Sequence, residues 1–412
     1  MPVLLGGVRA EAALAGFCHA TPQSMTASDP RTPGRDRLAR WLAVTTLATL
    51  AACTSTAPPK PPGPPPDPPT AARHIGSVTR ENSRWIPVAW QELPGWNADT
   101  PHAAWPALLK SCQRSPPAWS ALCADAKRAP PRDDAELRAW LMRYLQPYRV
   151  EALEGGAAGL ITGYYEPVLD ARRVPDGAYR VALHAPPSDL ASRRPYWTRS
   201  ELQTVPEAQA SLRGREIAYV ASPLDALVLQ IQGSGRLRIT EPDGRIRDVR
   251  LAYAGNNDHP YRSVGRWLID QRELQAGQAT WPAIKDWAQR NPKRLNELLW
   301  ANPRYVFFRE ESLPDPAVGP RGAQGVPLTP GRSIAVDPKS VPYGTPVWID
   351  TTAPLSSSPL QRLVLAQDTG SAIVGAVRAD YFWGWDGDAA EQAGRMRQPL
   401  RMWALWPRAA TN

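Results

Sequence analysis

Two carboxylates stand twelve residues apart in the stretch Leu363 to Gly384, LVLAQDTGSAIVGAVRADYFWG. Asp368 opens the triplet Asp368-Thr369-Gly370 directly after an apolar run that reads as a buried strand, so it is a short acid at a strand end. Asp380 follows Gly375 and Arg378 and leads into Tyr381, Phe382 and Trp383. Acids at strand ends among glycines and aromatic rings suit sugar chemistry. Aromatic faces stack on pyranose rings, and a carboxyl in apolar surroundings keeps its proton near neutrality, where it can act as a general acid. A third acid, Asp337, precedes a proline inside an apolar strand and reads as structural.

Two other stretches carry groups suited to a glycan. In GLITGYYEPV, Gly159 to Val168, a short strand ends in Tyr164-Tyr165, and consecutive strand residues point to opposite faces, so only one tyrosine enters a given cleft. In ALVLQIQGSGRLRI, Ala226 to Ile239, alternation reads as a strand with Gln230 and Gln232 on one face, and Gly233-Ser234-Gly235 then permits a bulge or close backbone approach. Amides beside exposed backbone donors suit the acetamido and hydroxyl groups of amino sugars. A hairpin with solvent-facing glutamines fits the same pattern.

The elements around these groups are mainly strands. Arg180 to Ile246 reads as strand-rich with few helix signals, and Asp243-Gly244 supplies a hairpin turn. Strands return from Tyr305, punctuated by Gly and Pro at a spacing that suggests a small closed barrel. Helices are few and short. One starts at Asp133-Asp134, carries Leu137, Trp140, Leu141, Tyr144 and Leu145 as a core stripe, and is stopped by Pro147. Another is capped by Ser263, and two more lie around Trp281 to Gln289 and Pro292 to Trp300. The 17 Trp against 4 Phe imply either Trp-filled cores or surfaces that grip something flat.

At 412 residues, with the first seventy or so not reading as folded, at most two domains are expected. The net charge of +9 and pI near 9.6 come from scattered arginines, with no basic run or nucleic-acid motif, which argues against nucleic acid. The 5 His are dispersed and no metal or cofactor ligand set is visible. Cys112 and Cys123 are expected to form a disulfide, because the chain carries an export signal. That signal comprises Arg35, Arg37 and Arg40, an apolar run from Trp41 to Ala52 too short to span a bilayer, and Leu50-Ala51-Ala52-Cys53, which looks like a bacterial lipobox with Cys53 as the lipidated thiol. Translation is expected to start at Met25, which would discard Cys18. APPKPPGPPPDPPT, Ala57 to Thr70, should lie extended as a stiff tether of roughly 40 Å.

The motifs GYYEP at Gly163 to Pro167, QIQGSG at Gln230 to Gly235, YAGNNDHPYRSVGRWLID at Tyr253 to Asp270 and NPRYVFF at Asn302 to Phe308 occur in order. With Asp337, Asp368 and Asp380 in a C-terminal three-aspartate pattern, they resemble the lytic transglycosylases of the membrane-bound A family, lipoproteins that cleave murein. The resemblance implies a mainly β fold: a double-psi β-barrel domain over 79–168 and 310–408, several short helices, and an inserted second β domain over 169–309, behind an export segment (1–53) and tether (54–78). It further implies Asp380 as the sole catalytic acid, Asp368 as helper, and Tyr164, Tyr165, Gln232, Gly233, Ser234 and Gly235 as groove residues. Thr369-Gly370-Ser371 departs from the paired glycines of many relatives, and a one-residue variation in the loop to Asp380 leaves Asp386 and Asp388 as alternatives to it. The expected partners are peptidoglycan strands and, through Cys53, the inner leaflet of the outer membrane; the protein should be a monomer, and cell-wall synthesis complexes are open to it. Two other readings fit parts of the sequence. Hydrophobic-Asp-Thr-Gly-Ser is the aspartic-protease signature, but it occurs once, so a protease would have to be a symmetric dimer. A non-catalytic peptidoglycan-binding barrel is the other.

Overall fold

In the computed structural model, residues 76–385 and 387–408 are described. The export segment with Met25 and Cys53, nearly all of the tether, and Asp386 lie outside the described residues. Among the described residues no helix is long and apolar enough to cross a membrane.

The chain builds part of one sheet, leaves to build a second, and returns to finish the first. It enters through β1 (Val78–Thr79) and β2 (Arg84–Pro87), crosses α1 (Trp105–Ser111), α2 (Ser120–Arg128) and α3 (Asp134–Tyr144), and continues into β3 (Leu145–Glu151) and β4 (Gly159–Tyr164). The excursion comprises β5 (Val168–Arg172), β6 (Val181–His184), α4 (Arg199–Thr204), α5 (Pro206–Leu212), β7 (Glu216–Val220), α6 (Pro223–Gln232), β8 (Gly235–Thr240), β9 (Ile246–Asn256), α7 (Val264–Asp270), α8 (Trp281–Arg290), α9 (Leu295–Trp300) and β10 (Val306–Ser312). The return adds β11 (Ser333–Val336), β12 (Pro346–Thr352), β13 (Pro359–Asp368), β14 (Arg378–Phe382), α10 (Ala389–Arg395) and β15 (Arg397–Pro407).

The first sheet runs β1-β2-β3-β15-β12-β13-β11-β14-β4, and β15 also pairs with β4. Six of its strands, β15, β12, β13, β11, β14 and β4, therefore close into a ring that leaves β4 no free edge. Its interior is filled by Ile161, Ile334, Val336, Val347, Val364 and Ala379, all fully buried. Over another face lies a tryptophan-rich layer, in which Trp96, Trp105 and Trp140 from the N-terminal segment pack with Trp348 and Trp403. Most of the tryptophan surplus is thus core. The Cys112–Cys123 disulfide joins the end of α1 to α2. The second sheet, β10-β9-β8-β5-β7-β6, has its own core of Leu183, Leu229, Leu237, Ile239, Leu251 and Phe308.

Three expectations fail here. Asp133 caps α3 as predicted, its Oδ1 accepting the Glu136 N–H at 2.8 Å, but the helix ends at Tyr144. Leu145 and Pro147 belong to β3, which is buried between β2 and β15. Arg180 to Ile246 is not strand-rich but contains α4, α5 and α6. Gln230 and Gln232 lie on α6, not on a strand. Ser222 caps that helix, Pro223 is its first residue, and Gly233, at φ 81°, ends it in the left-handed conformation. The helix is buried on two sides, Ala226 and Leu229 against the second sheet and Leu224 and Leu227 against α7 to α9. Burial on both sides fills it with apolar residues, and such a run cannot be told from a strand by periodicity.

Candidate active site

Asp380 is the middle residue of β14. Alternation turns Ala379 and Tyr381 into the ring's core and leaves Asp380 on the outer face. The parallel pairing of β14 with β4 sets Asp380 opposite Thr162. Thr162 Oγ1 donates to Asp380 Oδ1 at 2.6 Å and accepts from Arg378 Nη2 at 3.0 Å, so the hydroxyl links the arginine to the acid. Two residues along β4 on the same face, Tyr164 donates through its hydroxyl to Asp368 Oδ2 at 2.9 Å. Asp368 Oδ1 accepts the Ala323 N–H at 2.9 Å. One strand, β11, separates β13 from β14, which puts the two acid-bearing backbones about 10 Å apart. The side chain lying between them is Ala335, small enough to leave the floor open.

Electrostatics separates the two acids. Burial pushes Asp380 up to about 6, with the Asp368 charge adding to the rise and the Thr162 hydrogen bond and Arg378 opposing it. Burial also raises Asp368, but the N–H groups of Ala323 and Thr369 and the Tyr164 hydroxyl pull back. Tyr164 is raised well above its ordinary value, by burial first and then by the two carboxylates, so it stays a donor. Both acids are thus raised, and Asp380, at about 6, can hold a proton near neutrality beside a second carboxyl held by hydrogen bonds. That pairing fits general acid–base work on a sugar.

Around the acids runs a groove of three connected hollows. The central one, about 380 Å³, is lined by Asp380, Asp368, Thr162, Tyr164, Tyr165 and Gln232, with Tyr261 and Trp281 at its sides. Tyr165 and Trp281 continue into a hollow of about 680 Å³, and Tyr164 and Gln232 into one of about 520 Å³. Gln232 Oε1 accepts the Tyr165 N–H at 3.0 Å, and its Nε2 has no partner among the described residues. Both tyrosines reach the central hollow because Tyr165 follows the last residue of β4, where alternation no longer applies.

The other candidates are placed as follows. Gly233 and Ser234 line the 520 Å³ hollow. Gly235 is buried in β8, where an added Cβ would lie 2.2 Å from Leu229 Cδ1. Asp337 is buried and accepts from Asn82 Nδ2 and Gly375 N–H at 2.9 Å and from Lys339 N–H at 3.0 Å. Burial would raise its carboxyl, but these bonds outweigh it and hold the group below the usual range while pinning the loop that precedes β14. Asp388 is exposed and bonded to Gln392. Tyr381 and Phe382 are fully buried, so they are core and cannot stack on a sugar. The aromatics that face the groove are Tyr164, Tyr165, Tyr253, Tyr261, Trp281 and Trp385. Thr162 escapes a reading of the sequence because its partner lies 218 residues away. Trp281 carries no local signal.

Two family models match the chain: the MltA specific insert domain over residues 160–309 and the 3D domain over residues 332–406. The chain is 28% identical over 286 residues to the membrane-bound lytic murein transglycosylase A of Vibrio cholerae, covering 66% of this chain and 74% of that one. Among solved structures it resembles the lytic transglycosylase LtgG of Burkholderia pseudomallei, with 46% identity, a TM-score of 0.56, and 81% and 97% of the two chains covered. It also resembles Escherichia coli MltA with bound chitohexaose, with 25% identity, a TM-score of 0.61, and 81% and 94% covered.

Proposed function

The chain belongs to the membrane-bound lytic murein transglycosylase A family, and from that premise we propose that Asp380 is the single acid and base of a ring closure on peptidoglycan. The protein is a lytic transglycosylase. It cleaves the β-1,4 bond between N-acetylmuramic acid and N-acetylglucosamine without water and leaves a 1,6-anhydromuramyl end. Ordinary glycosidases need two carboxyls because the second must act as nucleophile or activate water. In this reaction the substrate supplies the nucleophile. Asp380 enters protonated and donates to the departing glucosamine O4; as a carboxylate it then takes the proton of the muramyl 6-hydroxyl while O6 closes on C1. Intramolecular attack brings a large effective molarity, which replaces the missing second group.

The observation that carries this reading is the environment of Asp380: an outward-facing acid in the central hollow, raised to about 6 by burial. In the proposal Thr162 aims the acid, Asp368 and Tyr164 steady charge beside it, and Gln232 offers its free amide to the glycan. Gly233 and Ser234 flank the next sugar, and Tyr165 supplies an apolar face. Segments 79–168 and 310–408 form one wall of the groove and 169–309 the other. An aspartic protease does not fit, since the Asp368 carboxyl is committed to Tyr164 and Ala323. The family match removes the non-catalytic reading. We further propose that Cys53 carries a lipid that holds the enzyme at the outer membrane as a monomer; its relatives are named membrane-bound.

Digesting purified sacculi and analysing the products by mass spectrometry tests the reaction. Anhydromuramyl ends are expected from the unsubstituted protein, and Asp380→Asn should lower their rate of release by about 10²–10⁴-fold. Reducing muramyl ends, or more than a few per cent of activity left in the variant, would overturn the assignment.

A further inference from the structure

We propose that a fourth hollow, of about 150 Å³ and opening beside Asp380, binds the carboxylate of the muramyl 3-O-lactyl arm between Arg199 and Arg304. The inference rests on the peptidoglycan reading above and adds to it a charged specificity site.

Arg199 is the first residue of α4 and only 4% exposed. The three other buried arginines among the described residues all have a carboxylate: Arg236 and Arg250 share Glu166, and Arg332 pairs with Asp99. Arg199 has none. Its Nε donates to the Asn302 carbonyl at 3.1 Å, and its Nη2 to Gln230 Oε1 and the Arg304 carbonyl, each at 2.6 Å. Nη1 has no partner among the described residues. Burial lowers the guanidinium to about 10, so it remains charged at neutral pH. A buried cation without a counter-charge is costly, and a bound anion relieves that cost.

Arg304 shares the hollow and likewise has no carboxylate among the described residues; its Nη1 donates to the His259 carbonyl at 3.1 Å. Neither arginine is compensated by Asp380, whose carboxyl feels Arg378. The fourth hollow shares Ile231, Tyr261, Ile373 and Asp380 with the central one, so a substituent on the sugar seated at Asp380 reaches it without leaving the groove. Its volume of about 150 Å³ suits a short acid arm better than a peptide. Guanidiniums bind carboxylates in forked geometry. Peptidoglycan offers a carboxylate from two sources, the lactyl arm itself once the stem peptide is removed, or the stem peptide further out. The size of the hollow favours the arm.

Asp380→Asn protein, in which turnover is expected to be slowed, is titrated calorimetrically with four hexasaccharides. These are the peptide-free alternating glucosamine–muramic acid oligomer, its lactyl methyl ester, the peptide-bearing oligomer, and chitohexaose. The free acid is expected to bind at least about tenfold more tightly than the ester or chitohexaose at low ionic strength, with the gap narrowing as salt rises. Adding Arg304→Gln, or Arg199→Lys, should shrink the gap to below about threefold, with the free acid losing more affinity than chitohexaose. A structural role for either arginine would weaken all four ligands alike. Equal affinity for acid and ester overturns the proposal, and so does a peptide-bearing oligomer that binds as tightly as the free acid, since the anion would then be the stem's. If Arg199→Lys fails to fold, the ester comparison and Arg304→Gln still decide. Failure of the underlying reading looks different: none of the four oligomers binds, and sacculi yield no anhydro ends.

Discussion

The proton on Asp380 sets the pH behaviour of the enzyme. Because the acid must enter protonated and its carboxyl is raised to about 6, kcat/KM should fall about tenfold per pH unit once the pH exceeds that value. Thr162→Val keeps the side-chain shape but removes a hydrogen bond that favours the carboxylate. The alkaline limb of the pH–rate profile should therefore move to higher pH while kcat drops, and an unmoved limb would mean that the hydroxyl does not act on the acid. The same shift predicts a stability effect. The folded state binds this proton more tightly than the unfolded chain does, so folding is undisturbed below the ordinary aspartate value of about 4. It is penalised as pH rises through 6, by up to about 3 kcal/mol. Asp380→Asn removes the penalty, so its melting temperature should exceed that of the unsubstituted protein at pH 7.5 and match it at pH 4, as read by calorimetry. Asp368 was legible in the sequence because a strand end, a glycine and a short acid form a local signal, whereas Asp380 lies mid-strand and stood out only by the aromatic run after it and by the family resemblance. Thr162 and the fourth-hollow arginines were not legible, since what gives each its meaning is a neighbour brought in from far along the chain.

β4 shows how tightly the acid's surroundings are built. Thr162 and Tyr164 face the groove while Gly163, between them, turns the other way, where an added Cβ would lie 2.8 Å from both Ala393 Cα and Trp383 Nε1. The first of these is the backbone of α10 and cannot simply swing aside. Gly163→Ala should therefore cost about 1–3 kcal/mol and lower kcat, because relief comes only by moving the strand that aims Asp380. A scanning melt together with anhydro-product assays checks both. Element by element, the sequence is most informative where one face is buried and least where both are. Asp133 and Ser263 cap helices where their residue types predict, and the Asp243-Gly244 hairpin forms between β8 and β9. α6 misleads because it is wedged between two cores, so its apolar residues lose helical spacing. Its true ends were nonetheless written in Ser222-Pro223 and Gly233, a cap, a helix-opening proline and a left-handed stop.

Across the whole molecule, the joint between the two sheets rests on an ion triad. Glu166 is fully buried just after β4, accepts from Arg236 Nε at 2.8 Å and from Arg250 Nε at 2.6 Å, and its own N–H donates to the Gly384 carbonyl at 2.8 Å. Glu166→Ala would strand two buried cations, so a loss of about 3–5 kcal/mol is expected, and a melting temperature within 1–2 °C of the parent would contradict it. A mainly β molecule with a closed barrel and short helices could be read from strand spacing and turn residues. The order in which strands pair could not, because the ring is sealed by contacts between β4 and β15, near opposite ends of the folded chain. Without Arg397 to Leu400 the ring is open along β4, so a chain truncated before Arg397 should release no anhydromuramyl ends although it still carries Asp368 and Asp380, and an assay of that truncated protein on sacculi checks it.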